Sequence, residues 1–294
     1  TIAIRNCVSI ANRLDTEAMT STTVTTAIDK RGVAVVTLNR PEKHNAFDDA
    51  VIAQLHEAFT LLQGNAEARV VVLASEGKSF SAGADLAWMK RMAAYDYDDN
   101  LEDARKLAAM LHSLYDLPQP TIARVQGAAY GGAVGLVSCC DMAVASEAAS
   151  FCLSEVKIGL IPATISPYVI RAIGERASRR YFTTAERFDA AEAHRLGLVS
   201  EVVAEDALDD AVLLVAALVE VEHHEVAGPA GFRRARRWTC AWRGRPAWTA
   251  SRFAFTVCAV WTCTTACRWK SACATCSTLS ATGRWSAGVW ISIW

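Results

Sequence analysis

Across the last 69 residues of this 294-residue chain, Val226 to Trp294, there is not one aspartate or glutamate. The same stretch holds 8 of the 9 tryptophans, 6 of the 10 cysteines and ten of the 30 Lys and Arg. The first 225 residues therefore carry 20 basic and 31 acidic side chains, a net of −11 against +10 for the tail, so the overall charge of −1 averages two unlike segments. An acidic body argues against a nucleic-acid surface, because phosphate binding needs clustered Lys and Arg. No run of 18 apolar residues exists, which leaves no candidate transmembrane helix. Thr1 to Ala18 lack the apolar core of a signal peptide, and Asp15 and Glu17 count against an organellar transit peptide, so a cytoplasmic protein without membrane contact is expected. Metal-binding patterns are also missing: the six histidines are scattered apart from His223-His224, and Cys273-x-x-Cys276 has no second ordered pair to complete a zinc site. The cysteines ahead of the tail, Cys7, Cys139, Cys140 and Cys152, show no framework spacing and read as reduced, buried thiols.

What is present is a chain with 52% apolar residues, enough for one large core and a catalytic domain of roughly 200–250 residues. Met19 followed by Thr20-Ser-Thr-Thr reads as a start, so residues 1–18 are expected to be an upstream or non-native extension and residues 19–221 the catalytic domain. Residues 222–294 read as an aberrant Trp/Cys/Arg-rich tail, the product of a frameshift in a GC-rich gene. Without carboxylates such a segment lacks Glu–Lys helix pairs and acidic helix starts, and its tryptophans follow no period that would choose one burial face.

Strands are expected at Val33 to Leu38, Arg69 to Ala74, Thr121 to Val125 and Met142 to Ala145. Phe47, Val51, Leu55, Phe59 and Leu62 recur at helical spacing, as do Leu101, Ala104, Leu107, Leu111 and Leu114. A small-residue helix to about Cys139 follows, and helices also fit Gly174 to Thr183, Ala190 to Leu196 and Glu205 to Glu220. Residues 87–100 read equally as a mobile segment over a pocket or as a surface helix. The alternation of strand and helix indicates an α/β fold.

The chemistry is concentrated at Gln126-Gly-Ala-Ala-Tyr-Gly-Gly-Ala-Val-Gly135, read as a strand-to-helix turn whose Gly131 and Gly132 expose amide N–H groups at a helix start. Such amides stabilise a phosphate or a developing oxyanion. The alternative is that the glycines only permit tight helix–sheet packing. The dinucleotide fingerprint is not met, since these glycines follow a third strand rather than the first. Lys78-Ser-Phe-Ser-Ala-Gly-Ala-Asp-Leu-Ala-Trp-Met89 forms a second turn after the strand at Arg69 to Ala74.

Together with Asn39-Arg40-Pro41, Asn45-Ala46-Phe47, Cys140-Asp141, Glu155 with Gly159-Leu160, and Leu196-Gly197-Leu198-Val199, these two segments resemble the enoyl-CoA hydratase/isomerase (crotonase) superfamily over about Gly32 to Val219. The resemblance implies a spiral of ββα units with a helical C-terminal region, here disrupted by the tail. It implies an acyl-CoA thioester substrate with coenzyme A as part of that substrate, no separate cofactor or metal, and a homo-trimer or dimer of trimers. It places two oxyanion-stabilising N–H groups at Ala84 and Gly132. Its usual pair of catalytic glutamates falls at Glu155 and at position 135, where this chain has Gly135. Substrate-binding positions fall at Lys43, Asn45, Ala46, Ser81, Ala82, Gly83, Asp85, Leu86, Gly131 and Gly135.

The missing glutamate is compatible with an inactive protein, with an isomerase using one carboxylate, or with a hydratase in which Glu155 alone moves the proton. Phe80-Ser-Ala-Gly-Ala-Asp-Leu-Ala-Trp-Met89, Gly131-Gly-Ala-x-Gly-Leu-x-x-Cys-Cys-Asp-Met-Ala143 and Leu153-Ser-Glu-Val-x-Ile-Gly-Leu-x-Pro-Ala-x-Ile-Ser-Pro167 are similar to bacterial methylglutaconyl-CoA and isohexenylglutaconyl-CoA hydratases, a resemblance that implies glycine at the first-glutamate position and favours the third. Cys139-Cys140 is expected to be packing, and Asp85 to orient its own turn through backbone hydrogen bonds.

Overall fold

The computed structural model of the chain describes residues 23–226. The expectations for residues 1–18, for the tail beyond Val226 and for Cys273-x-x-Cys276 lie outside the described residues. Strand β1 (Val24–Ile28) and β2 (Val33–Leu38) form a hairpin. Then follow α1 (Asp49–Gly64), β3 (Val70–Ser75), α2 (Leu86–Met92), α3 (Tyr97–Tyr115), β4 (Thr121–Val125), β5 (Ala128–Tyr130), α4 (Gly132–Cys139), β6 (Met142–Ser146) and β7 (Ser150–Cys152). After a 3-10 turn at Glu155–Ile158 come α5 (Ser166–Thr184), β8 (Phe188–Asp189), α6 (Ala190–Leu196), β9 (Glu201–Val203) and α7 (Leu208–Val226).

One sheet runs in the order β1-β2-β3-β4-β6-β9, parallel except for the β1–β2 pair. All six residues of β3 are buried, as a strand covered on both faces requires. A second, three-stranded sheet, β5-β7-β8, pairs Ala128–Tyr130 in parallel with Ser150–Cys152. On one face of the large sheet, α1, α3, α4 and α5 enclose the main core, which includes Phe47, Leu55, Phe59, Phe80, Trp88, Met110, Leu114, Val134 and Phe151. On the other face α7 buries Leu208, Val212 and Ala216 against Val33, Val70, Val72, Ile122 and Val144.

Strands β2, β3, β4 and β6 and most helices lie where hydrophobic period placed them. Strand β1 was not anticipated, because as an exposed edge strand it needs no apolar alternation. The glycine-rich stretch is also not a direct strand-to-helix turn: β4 ends at Val125, and β5 leaves into the second sheet before α4 begins. Residues 87–100 are ordinary structure, a short helix, a turn and the first residues of α3, the latter capped by the Asp96 carboxylate accepting the Asp99 N–H. Helix α5 begins eight residues before the expected Gly174. It has Pro167 in its first turn, and Gly174, at φ 79° and ψ 159°, interrupts the helical backbone.

Candidate active site

The first turn, Phe80 to Asp85, is anchored by two isolated parallel bridges, Ser81 to Ala129 and Phe47 to Ala84. The Phe47 N–H donates to the Gly83 carbonyl and the Asp85 N–H donates to the Phe47 carbonyl, each at 2.9 Å. Both bonds use the neighbours of Ala84, so the Ala84 N–H points to the opposite side of the chain. Among the described residues it finds no hydrogen-bond acceptor.

The turn is held by its own side chains. Buried Ser81 donates its hydroxyl to the Asn45 carbonyl (2.8 Å) and accepts the Gly83 N–H (3.1 Å). Asn45 accepts the Arg40 N–H and donates to the Glu76 and Ser79 carbonyls. Asp85 caps α2 by accepting the Ala87 and Trp88 amides at 2.7 and 3.2 Å, and it faces Lys43 at 3.4 Å and Arg40 at 3.6 Å. Burial would raise the Asp85 carboxyl, but the Trp88 and Ala87 amides and Lys43 outweigh it and hold the group below its ordinary value.

The second turn presses against the first. A Cβ on Gly83, whose φ is +85°, would lie 2.6 Å from the Tyr130 carbonyl oxygen and 3.6 Å from the Gly132 nitrogen, so only glycine permits this approach. Gly131, at φ +55°, donates its N–H to the Cys152 carbonyl at 2.8 Å. Gly132 is the first residue of α4, where the amide has no intrahelical partner, and a Cβ on it would meet the Phe47 ring at 2.6 Å. The unpaired amides of Ala84 and Gly132 thus belong to two turns in contact, with the ring of Phe47 packed against Gly132.

Glu155 arrives from β7 at the start of the 3-10 turn. Its Oε1 lies 3.4 Å from where a Cβ on Gly131 would be. Its Oε2 is buried with no hydrogen-bond partner among the described residues. Burial, opposed only by a bond from its own backbone N–H, pushes this carboxyl up to about 7. A carboxyl near neutrality beside unpaired backbone donors can exchange a proton with a bound molecule while the amides take up the negative charge.

The side chains of several expected binding residues hold the turn in place. Asn45, Ser81 and Asp85 spend their side-chain hydrogen bonds on the turn itself. Gly135 is filled from outside: a Cβ there would come within 2.2 Å of Ile165 Cγ2, so this glycine is a packing position and Ile165 occupies its side-chain space. Ala46 is buried, whereas Lys43, Ala82 and Leu86 are exposed at the rim, Leu86 at 75%. Asp141 bonds the Thr121 amide and hydroxyl at 2.9 Å, tying α4 to β4. Burial pushes the Cys139 thiol well above its ordinary value, in keeping with a packing role. Sequence reasoning missed Ile165 and Ser154 as members of this neighbourhood, since neither carries a spacing signal. It also missed the bridge through Arg40, which pairs with Asp48 (2.9 Å) as well as Asp85 and donates to the Ala46 carbonyl. Among the described residues no cluster of His, Cys, Asp and Glu could hold a metal ion, and no helix is long and apolar enough to cross a membrane.

The pattern of the Enoyl-CoA hydratase/isomerase family matches residues 29–227. A Thermus thermophilus protein named as an enoyl-CoA hydratase is 38% identical over 175 residues, 60% of this chain and 69% of its own. A Mycobacterium tuberculosis protein named as the hydrolase of an indene-carboxyl-CoA is 37% identical, over 66% of this chain and 76% of its own. The crystal structure of an enoyl-CoA hydratase from Shewanella pealeana superposes with a TM-score of 0.71 at 40% identity, covering 82% of this chain and 88% of that one.

Proposed function

Because this chain belongs to the enoyl-CoA hydratase/isomerase family, we propose that it is a hydratase for a branched, carboxylated enoyl-CoA of the methylglutaconyl type, with Glu155 as its one acid–base group. The family implies an acyl-CoA thioester as substrate, and relatives named as enoyl-CoA hydratases are carbon–oxygen lyases. The observation that carries the reading is the Glu155 carboxyl, poised at about 7 against the Gly131-Gly132 turn.

The thioester oxygen accepts the Ala84 and Gly132 N–H groups. Glu155, as carboxylate, takes a proton from water while the water oxygen bonds to the β-carbon, and the displaced π-electrons become the enolate held by the two amides. Protonated Glu155 then gives that proton to the α-carbon. The carboxylate is regenerated, and one water has been added across the double bond. Two preorganised donors suit this sequence, because the negative charge peaks on the thioester oxygen, and one such donor is typically worth about 3–4 kcal/mol.

The choice of acyl group rests on the resemblance of the Phe80 to Met89, Gly131 to Ala143 and Leu153 to Pro167 segments, and the homo-trimer or dimer of trimers in this proposal is what the family implies. Of the second readings, an enoyl-CoA isomerase is favoured by the packing of Ile165 into the side-chain space of Gly135, since isomerisation needs only one carboxylate, and a hydratase of plain acyl chains is favoured by relatives named as enoyl-CoA hydratases. The test is side-by-side turnover of methylglutaconyl-CoA, crotonyl-CoA and a 3-enoyl-CoA. Faster hydration of methylglutaconyl-CoA supports the proposal. Isomerisation of the 3-enoyl ester with no hydration of either 2-enoyl ester overturns it.

A further inference from the structure

A hydratase with one carboxylate has a geometric problem. Glu155 must take a proton from the water, yet a single hydrogen bond leaves the water free to swing about it, and attack on the β-carbon needs an aligned lone pair. With position 135 filled by Ile165, the second contact has to come from elsewhere.

The candidate is Ser154. It occupies the N-cap position of the 3-10 turn at Glu155–Ile158, where a hydroxyl ordinarily accepts a backbone N–H of that turn, but it makes no cap hydrogen bond. The turn is closed instead by the backbone, the Lys157 N–H donating to the Ser154 carbonyl at 3.0 Å. The hydroxyl faces Gly131: the point at which a Cβ of Gly131 would sit is 3.4 Å from Glu155 Oε1 and 3.7 Å from Ser154 Oγ. The two oxygens therefore flank the same point on the surface of the glycine turn whose next amide, that of Gly132, is unpaired. Ser154 is half-buried, so its hydroxyl is sheltered without being sealed off. The absence of a side chain at Gly131 keeps this space open.

We propose that Ser154 is a catalytic residue whose hydroxyl, together with Glu155, holds the attacking water. One O–H of the water donates to the Glu155 carboxylate and the other to Ser154 Oγ, which leaves an oxygen lone pair for the β-carbon. Ser154 neither gains nor loses a proton: Glu155 takes one proton and returns it to the α-carbon, and the O–H held by Ser154 becomes the product hydroxyl. The inference rests on Glu155 being the base of a hydration reaction.

The experiment separates the two claims by pairing hydration with exchange of the α-protons of butyryl-CoA in deuterated water, a reaction that needs the base and the oxyanion donors but no water at the β-carbon. Hydration is followed on whichever of methylglutaconyl-CoA and crotonyl-CoA is turned over faster. Ser154→Ala is expected to lower kcat for hydration by roughly tenfold or more, the worth of one hydrogen bond to the water, with exchange within about twofold of the parent and Ser154→Thr restoring hydration. Unchanged hydration in Ser154→Ala overturns the proposal. So does an equal loss of hydration and exchange in a protein with unaltered circular dichroism and Tm, because that outcome assigns Ser154 to the placement of Glu155. A Glu155→Gln variant that keeps both reactions removes the base itself, a failure of the underlying reading that the Ser154 variants do not mimic.

Discussion

At Glu155 the proposed chemistry and the stability of the fold pull in opposite directions. Burial raises its carboxyl from 4.5 to about 7, so between those values the folded protein binds a proton that the unfolded chain has released. The contribution of Glu155 to stability is therefore greatest below about pH 4.5, falls as the pH rises toward 7, and levels off once the folded carboxyl is ionised, a total loss from this group of up to about 3 kcal/mol. The proposed hydration uses the ionised form as base, so kcat/KM for hydration should rise with pH through about 7. Glu155→Gln is expected to lower turnover by at least about two orders of magnitude. Its urea midpoint should exceed the parent's at pH 8.5 and match it near pH 4.5. A variant that loses activity through unfolding would show the reverse at pH 8.5. The position of Glu155 was legible from its motif, but its poise was not, because the burial that sets it comes from chain segments far apart in sequence.

Among the elements, the starts of α1 and α2 share one cation. Asp48 caps α1 and Asp85 caps α2, and the guanidinium of Arg40, a residue only 8% exposed, faces both carboxylates. Replacing Arg40 by Met leaves two caps without their shared partner and should cost roughly 3 kcal/mol or more, read as a shift in denaturant midpoint. Turnover should fall further than that shift explains, because Ala84 sits between Phe47 and Asp85 in the turn this cation steadies. At α4 the constraint is steric. Gly135→Ala brings a methyl to 2.2 Å from Ile165 Cγ2 and is expected to destabilise by about 1–3 kcal/mol. Adding Ile165→Ala should recover part of that loss, and the two changes should be clearly non-additive in a double-mutant cycle. Strict additivity would separate the two positions. The helices themselves could be read from hydrophobic period. That Gly135 is glycine for the sake of Ile165, thirty residues on, could not.

The whole molecule divides its apolar interior across the large sheet. The core on one side contains Phe47, whose ring touches Gly132; the cluster on the other side joins α7 to β2, β3, β4 and β6, with Arg124 on β4 paired to Asp209 on α7. A cavity on the α7 side should therefore weaken the fold without disturbing the chemistry. Leu208→Ala is expected to lower stability by about 2–4 kcal/mol while kcat/KM, measured well below the new Tm, stays within about twofold. A large loss of kcat/KM at that temperature would show that the two faces of the sheet are coupled.

The sequence by itself determined the α/β alternation, strands β2, β3, β4 and β6, most of the helices and the two glycine turns, because hydrophobic period and glycine placement act over a few residues and are written locally. It also pointed to Ala84, Gly132 and Glu155 through the order of their motifs. Only the tertiary structure decided that Gly83 touches Tyr130, that Ile165 takes the side-chain space of Gly135, that Arg40 spans two helix caps and that Ser154 shares the Gly131 turn with Glu155. Each of these is a contact between segments brought together by sheet order and helix packing, and close packing admits one partner where the local sequence is compatible with many.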